Sequence, residues 1–132
     1  MIQAVGIDSV DVARMESMIK RKGFRALKRL FSAGEIDYCG SRPAPAQHYG
    51  ARFAAKEACM KCLGRGIWGG MAFKDIETVR NTDGSVRLVL HGQARERFET
   101  IGGTSLHVSL THTETIAVAM VVIETGTAGD AS

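Results

Sequence analysis

The chain has 132 residues, of which 45% are apolar and 23% charged, so it can bury one core and is too short for two. No apolar run approaches a membrane-spanning length, and Met1 leads straight into a strand-like pattern, which excludes a membrane protein and makes a cytoplasmic location the expectation. The net charge is only +3, yet seven basic residues (Arg14, Lys20, Arg21, Lys22, Arg25, Lys28, Arg29) stand between Val12 and Phe31 against one acid, Glu16, a footprint for an acidic partner, protein or nucleic acid.

Ile2 to Ile7 reads as a strand with little polar content on either face, hence a covered one, with Asp8 presented at its C-terminal end. Ser9 or Asp11 can cap the following helix, Val12 to Lys22, which Gly23 closes. On that helix Arg14, Met18, Arg21 and then Arg25 recur at near-helical spacing, a basic stripe holding one apolar residue. Such a stripe is ordinarily a solvated face, and an Asp such as Asp8 ordinarily belongs to a cap or turn. Phe24 to Phe31 continues as a short basic helix. Ser32-Ala33-Gly34-Glu35 matches a capping box, so a further helix runs through Cys39 and Glu35 is structural. Pro43 and Pro45 mark a loop.

Ala51 to Leu63 is the central helix: strong helix formers without interruption, ended by Gly64. At about 100° per residue, Ala54, Ala55, Ala58, Cys59, Cys62 and Leu63 fill one apolar arc, with Phe53 and Met60 opposite and Glu57 projecting between the two groups. A carboxylate on so apolar a helix needs a partner, and Lys61 at i,i+4 is the nearest. The segment Gly64 to Gly70 contains a formal G-x-G-x-x-G, but a helix precedes it where the dinucleotide fingerprint requires a strand, so that reading is rejected. Cys59 and Cys62 lie near the C-terminal end of the helix, the wrong end for a redox pair, and only Cys39 and scattered histidines could add zinc ligands; the three cysteines are read as reduced thiols.

Phe73 to Val79 and Val86 to Leu90 are two strands joined through Asn81-Thr82-Asp83-Gly84, a hairpin signal. Gln93 to Ile101 is a short amphipathic helix ended by Gly102-Gly103. Leu106 to Leu110 and Ile116 to Ile123 are strands flanking Thr111-His112-Thr113-Glu114-Thr115. From Thr125 the composition turns small and polar, and a disordered tail is expected.

Three separated segments make the pattern specific: Gly6-Ile7-Asp8, Phe53-Ala54-Ala55-Lys56-Glu57-Ala58 and Val108-Ser109-Leu110-Thr111-His112-Thr113. In this order the chain resembles the short, single-domain phosphopantetheinyl transferases, the holo-[acyl-carrier-protein] synthase family. The resemblance implies an α+β fold in one small domain, a mainly antiparallel sheet packed on the long central helix, spanning residues 1–124 with 125–132 as the tail. It implies transfer of the 4′-phosphopantetheine arm of coenzyme A to a serine of an apo acyl carrier protein, with release of 3′,5′-ADP, and so a role in fatty acid biosynthesis. Asp8 and Glu57 then hold a divalent cation, Mg²⁺ with Mn²⁺ as an option, and residue types suited to hard cations stand at both positions. Glu57 or a water held by Asp8 takes the serine proton. Lys61 lies beside the phosphates, making Asp8, Glu57 and Lys61 the catalytic set, while Lys61, Ser109, Thr111, His112 and Thr113 contact coenzyme A. Arg14, Met18, Arg21 and Arg25 face the acidic helix of the carrier, and the assembly is a homotrimer with active sites between subunits. Cys59, Met60 and Arg65 depart from the usual family residues. The rival reading, a small basic RNA-binding protein, explains the stripe but not Asp8, Glu57 or the histidine segment, and the basic region lacks interleaved aromatics.

Overall fold

The structure, a computed structural model, describes residues 1–64, 66 and 69–126. Arg65, Ile67 and Trp68 of the glycine-rich loop and the tail from 127 onward therefore lie outside the described residues. The long strand β1 (Ile2–Asp11) leads into helix α1 (Val12–Leu30), α2 (Ala33–Gly40) and α3 (Pro45–Leu63). A 3₁₀ turn (Phe73–Asp75) precedes the hairpin β2 (Ile76–Arg80) and β3 (Val86–Leu90), followed by α4 (Gly92–Thr100), β4 (Gly103–His112) and β5 (Ile116–Thr125). The antiparallel sheet has the order β1-β5-β4, with β2 and β3 as a separate two-stranded ribbon.

β1 pairs with β5 from Ile2 opposite Glu124 to Asp11 opposite Ile116, so Asp8 lies inside the strand, opposite Ala119, and not at its end. The side-chain alternation of a strand puts Gly6, Asp8 and Val10 on the helix-facing side. β1 is also not covered on both faces: Val5 and Ile7 remain 58% and 59% exposed. The chain turns into α1 at Asp11, whose side chain accepts the Ala13 N–H at 2.9 Å. α1 is kinked at Gly23 (φ 72°, ψ −163°), so it consists of the two helical pieces that the sequence suggests. A Cβ at Gly23 would meet nothing within 4 Å, so the backbone conformation alone asks for glycine.

α3 begins at Pro45, six residues before the expected start at Ala51, because proline at the first helical position gives up an N–H that has no intrahelical partner anyway. It ends as expected at Gly64 (φ 68°). Phe73 to Asp75 is not strand: Asp75 takes the Ala72 N–H on its carboxylate at 3.1 Å and closes a tight turn. β5 runs two residues past Ile123.

The core lies between α3 and the sheet. Ala54, Ala55, Ala58 and Cys59 are fully buried, as are Ala119, Val121 and Ile123. Small side chains on α3, met by Gly6 and Ala119 of the sheet, let helix and sheet approach closely. A second layer seats α1 and α2 on the start of α3, with Phe31 and Tyr49 rings 4.9 Å apart.

One polar network crosses this core. Lys56 is fully buried and donates to Glu35 Oε1 at 2.9 Å, to the Phe73 carbonyl at 3.1 Å and to the Ile76 carbonyl. Glu35 completes the capping box with Ser32, as expected, and its second oxygen also accepts the Thr78 N–H at 2.9 Å. The pair thus ties α2, α3 and β2 together with its hydrogen-bonding capacity filled, the condition under which a buried charge is tolerated.

Candidate active site

Gly6 sets the site. An added Cβ there would lie 2.1 Å from the Ala58 carbonyl oxygen, so β1 touches the α3 backbone where only glycine fits. Two residues further along the same face, Asp8 meets the α3 residues Glu57 and Lys61. Lys61 Nζ donates to Asp8 Oδ1 at 2.8 Å and to the Ile7 carbonyl at 2.9 Å. The lysine therefore pairs with the strand and not, as the helix alone implied, with Glu57: the strand presents an aspartate that an i,i+4 rule cannot see.

Glu57 shares a hydrogen bond with Asp8, and its carboxyl is pushed from 4.5 up to about 7. Burial is the largest cause, followed by the hydrogen bond to Asp8 and the Asp8 charge, with Lys61 pulling the other way. Burial and a neighbouring carboxylate both disfavour the charged form, so Glu57 holds its proton to a higher pH than it would alone. The hydrogen bond to Asp8 in turn raises Lys61, keeping it an ammonium.

Glu57 opens onto a groove of about 650 Å³ whose other wall is α1, with Arg14, Met18 and Arg21 lining it beside Phe53. Three residues of the basic stripe and Glu57, separate in sequence, thus share one cavity; Arg25 and Asp8 lie outside its lining. On its other side Glu57, with Lys61, Met60 and Gly66, borders a second opening of about 330 Å³.

The histidine segment is elsewhere. β1 and β4 are opposite edges of the three-stranded sheet, two strand spacings or about 10 Å apart. Ser109 and Thr111 alternate onto the outer face, and Thr113 Oγ1 is spent in the β4–β5 turn, accepting from Thr115 N–H at 3.2 Å and Ile116 N–H at 3.1 Å. His112 packs edge-on against His48 of α3, ring centroids 4.9 Å apart. Ser109, His112, His48, Arg52, Arg80 and Tyr38 line a cavity of about 410 Å³. Within one chain, then, the Ser109 and His112 segment does not share a cavity with Asp8 and Glu57.

This cavity holds residues that sequence reasoning missed. The guanidinium carbons of Arg52, Arg42 and Arg80 stand 4.3, 4.4 and 5.3 Å from the Tyr38 ring centroid. Arg52 is 4% exposed, and its buried Nε has no hydrogen-bond acceptor among the described residues. His48 is held below its usual pKa, mainly by desolvation and then by His112, Arg52 and Arg42. Crowded cations with an orphaned buried donor are complementary to an anion. The available signal was Arg52 itself, a cation on a helix apolar enough to be buried.

The cysteines behave as read: all three are free and buried, and desolvation pushes the Cys39 and Cys59 thiols up to about 12. No helix among the described residues is long and apolar enough to cross a membrane.

Fold and site together define a small α+β enzyme, and comparison with known proteins identifies its class. The model of the 4′-phosphopantetheinyl transferase superfamily matches residues 4–119, and the chain belongs to that superfamily. It is similar to the holo-[acyl-carrier-protein] synthases of Syntrophus aciditrophicus, at 45% identity over 94% of this chain and 97% of that one, and of Koribacter versatilis, at 43% over 94% and 99%. Among solved structures it resembles the Neisseria meningitidis holo-[acyl-carrier-protein] synthase, TM-score 0.84 at 27% identity, covering 94% of this chain and 99% of that one. It also resembles the Helicobacter pylori enzyme in complex with coenzyme A, TM-score 0.80 at 32% identity over 91% and 99%. The RNA-binding reading falls with this assignment.

Proposed function

We propose that the chain is a holo-[acyl-carrier-protein] synthase, transferring the 4′-phosphopantetheine arm of coenzyme A to a serine of apo acyl carrier protein. The observation that carries this is the Asp8–Glu57 pair, joined across β1 and α3, with Glu57 opening onto the groove walled by the basic stripe of α1. The carrier serine oxygen bonds to the phosphorus bearing the pantetheine arm, the bond to the bridging pyrophosphate oxygen breaks, and 3′,5′-ADP leaves. Most of what such a reaction requires is charge neutralisation and alignment.

Asp8 and Glu57 fit a hard dication such as Mg²⁺ or Mn²⁺: they are adjacent, partly buried oxygen donors, and Glu57 is already raised by burial and then by Asp8. Among the described residues no third His, Cys, Asp or Glu joins them, which suits an ion that completes its shell with waters and phosphate oxygens. When bound, the ion supplies charge neutralisation at the pyrophosphate. Glu57, beside the groove, is the group placed to take the serine proton, and Lys61 is placed to meet a phosphate. Arg14, Met18 and Arg21, extended by Arg25, form the surface offered to an acidic carrier helix, the basic groups steering and Met18 anchoring.

Ser109 and His112, with Arg52 and Arg80, form the receiving surface for a coenzyme A phosphate; Thr111 extends it on β4, and Thr113 shapes the turn behind it. Because this surface and the carboxylate pair lie on opposite sheet edges, they serve one coenzyme A only if neighbouring subunits meet. The outer face of the sheet supports that assembly: Val5, Ile7 and Met120 are 58%, 59% and 43% exposed, and Ile7 and Met120 are cross-strand neighbours. A homotrimer with active sites between subunits satisfies both features, and a cytoplasmic location suits three unpaired thiols.

The test is mass spectrometry of apo carrier protein incubated with the chain, coenzyme A and Mg²⁺. The carrier should gain one phosphopantetheine as 3′,5′-ADP is released. Several apo carriers left unmodified with both Mg²⁺ and Mn²⁺ would overturn the assignment.

A further inference from the structure

Lys61 occupies a place that the proposed chemistry needs for something else. Its side chain is 57% exposed and has room to turn outward, yet its ammonium is committed to β1 through Asp8 Oδ1 at 2.8 Å and the Ile7 carbonyl at 2.9 Å. Asp8 is only 19% exposed, and Glu57 bonds it as well, so the carboxylate is enclosed by its two α3 partners. A dication held by Asp8 and Glu57 would draw on the same Asp8 carboxylate. A positive charge about 3 Å from an Asp8 oxygen would then stand against a doubly charged ion within a few ångströms, where repulsion is worth several kcal/mol even at the dielectric of a protein surface. The two cations would compete for one carboxylate.

We infer that Lys61 is an internal stand-in for the dication: ion and ammonium compete for Asp8, and ion binding releases Lys61 from β1 to serve as a phosphate contact. The inference rests on the two-carboxylate metal reading proposed above. Helix geometry favours the exchange. Lys61 stands one turn beyond Glu57 and borders, with Glu57, Met60 and Gly66, the opening of about 330 Å³, so a released ammonium stays beside the site and swings into that opening. Its four-carbon stem and compact charge suit a group with two stations.

An order of binding follows. Without the dication, an incoming pyrophosphate meets two acids with Lys61 withheld. With it, the acids would be neutralised and Lys61 would be free to meet the phosphate, so the dication would be expected to bind before the pyrophosphate. The competing explanation makes Lys61 a fixed tether of β1 to α3, and that role predicts no movement.

Crystal structures of the full chain with and without Mn²⁺, neither containing coenzyme A, separate the two. In the metal-free crystals Lys61 Nζ should stay within hydrogen-bonding reach of Asp8 and the Ile7 carbonyl; with Mn²⁺ located by its anomalous signal, it should leave both. Calorimetric titration with Mg²⁺ supplies the second readout: Lys61→Met should bind the ion about fivefold more tightly than the wild type, the equivalent of releasing one exposed ion pair, while Asp8→Asn should lose binding. Nζ remaining on Asp8 beside a bound ion, or Lys61→Met affinity no greater than wild type, overturns the inference and leaves the metal reading standing. Failure of the wild type to bind either ion overturns both.

Discussion

Gly6→Ala tests how the carboxylate pair is set. The new Cβ would lie 2.1 Å from Ala58 O, 3.0 Å from Ala58 C and 3.0 Å from Cys62 Sγ. Carbon–oxygen contacts stand at about 3.3 Å or more, so β1 and α3 must part by roughly an ångström. Two terms oppose each other. Alanine is the better residue for a regular strand by about 0.5–1 kcal/mol, whereas overpacking a close contact costs ~1–3 kcal/mol and sometimes more. The obstacle here is a main-chain carbonyl within α3, which cannot rotate away as a side chain would, so the clash wins and a net loss of about 2 kcal/mol is expected. Separation at Gly6 also carries Asp8, two residues on, away from Glu57 by more than the ~0.5 Å that a catalytic constellation tolerates. Turnover should therefore fall about 100-fold even where the variant is fully folded. Urea denaturation followed by circular dichroism gives the first quantity, and 3′,5′-ADP release measured well below the melting temperature gives the second. Adding Cys62→Ala removes the sulfur but leaves the carbonyl, so the double variant should regain little. A Gly6→Ala protein with wild-type stability and turnover, or one restored by Cys62→Ala, would refute the reasoning.

Lys56→Met leaves Glu35 buried without its counter-ion and should cost ~3–5 kcal/mol in denaturant titration, part of it regained by adding Glu35→Gln; a loss below about 1 kcal/mol would mean the pair is not isolated from water. The Glu57 pKa, raised from 4.5 to about 7, makes the protonated form the one the fold prefers. That contribution is full below the unfolded value of 4.5 and is lost as pH rises through about 7. Melting temperatures measured without added metal should accordingly decline from about pH 5 to about pH 8 more steeply than in Glu57→Gln, and parallel curves would contradict the placement of Glu57 against Asp8. Asp8→Asn and Glu57→Gln should each lower turnover at least ~100-fold with the fold intact, and the double variant should be hardly worse than the poorer single one; multiplying losses would show that they do not share an ion. Reversal of Arg14, Arg21 and Arg25 to Glu should raise the apparent KM for carrier about tenfold or more and weaken its salt dependence, with coenzyme A affinity nearly unchanged; an equal loss for coenzyme A would place the stripe in the nucleotide site.

Local rules carried much of the architecture. The Gly23 break, the Ser32–Glu35 capping box and the Gly64 stop are short-range events, decided by backbone geometry and by side chains that reach only their own turn, so each could be read from a few neighbouring residues. The candidate site residues were proposed from three segments that carry chemistry-bearing residues in a fixed order. Their partners were not. Whether Lys61 answers Glu57 or Asp8 depends on where β1 crosses α3, and that crossing depends on a glycine 52 residues before Ala58 that lets two backbones touch. The Lys56–Glu35 pair spans 21 residues, and the cluster of Arg42, Arg52 and Arg80 around Tyr38 forms only once α2, α3 and β2 have packed. Residue type establishes that a buried charge needs a counter-ion, but several candidates satisfy that demand in sequence, and only the packing of elements decides which one comes within about 3 Å.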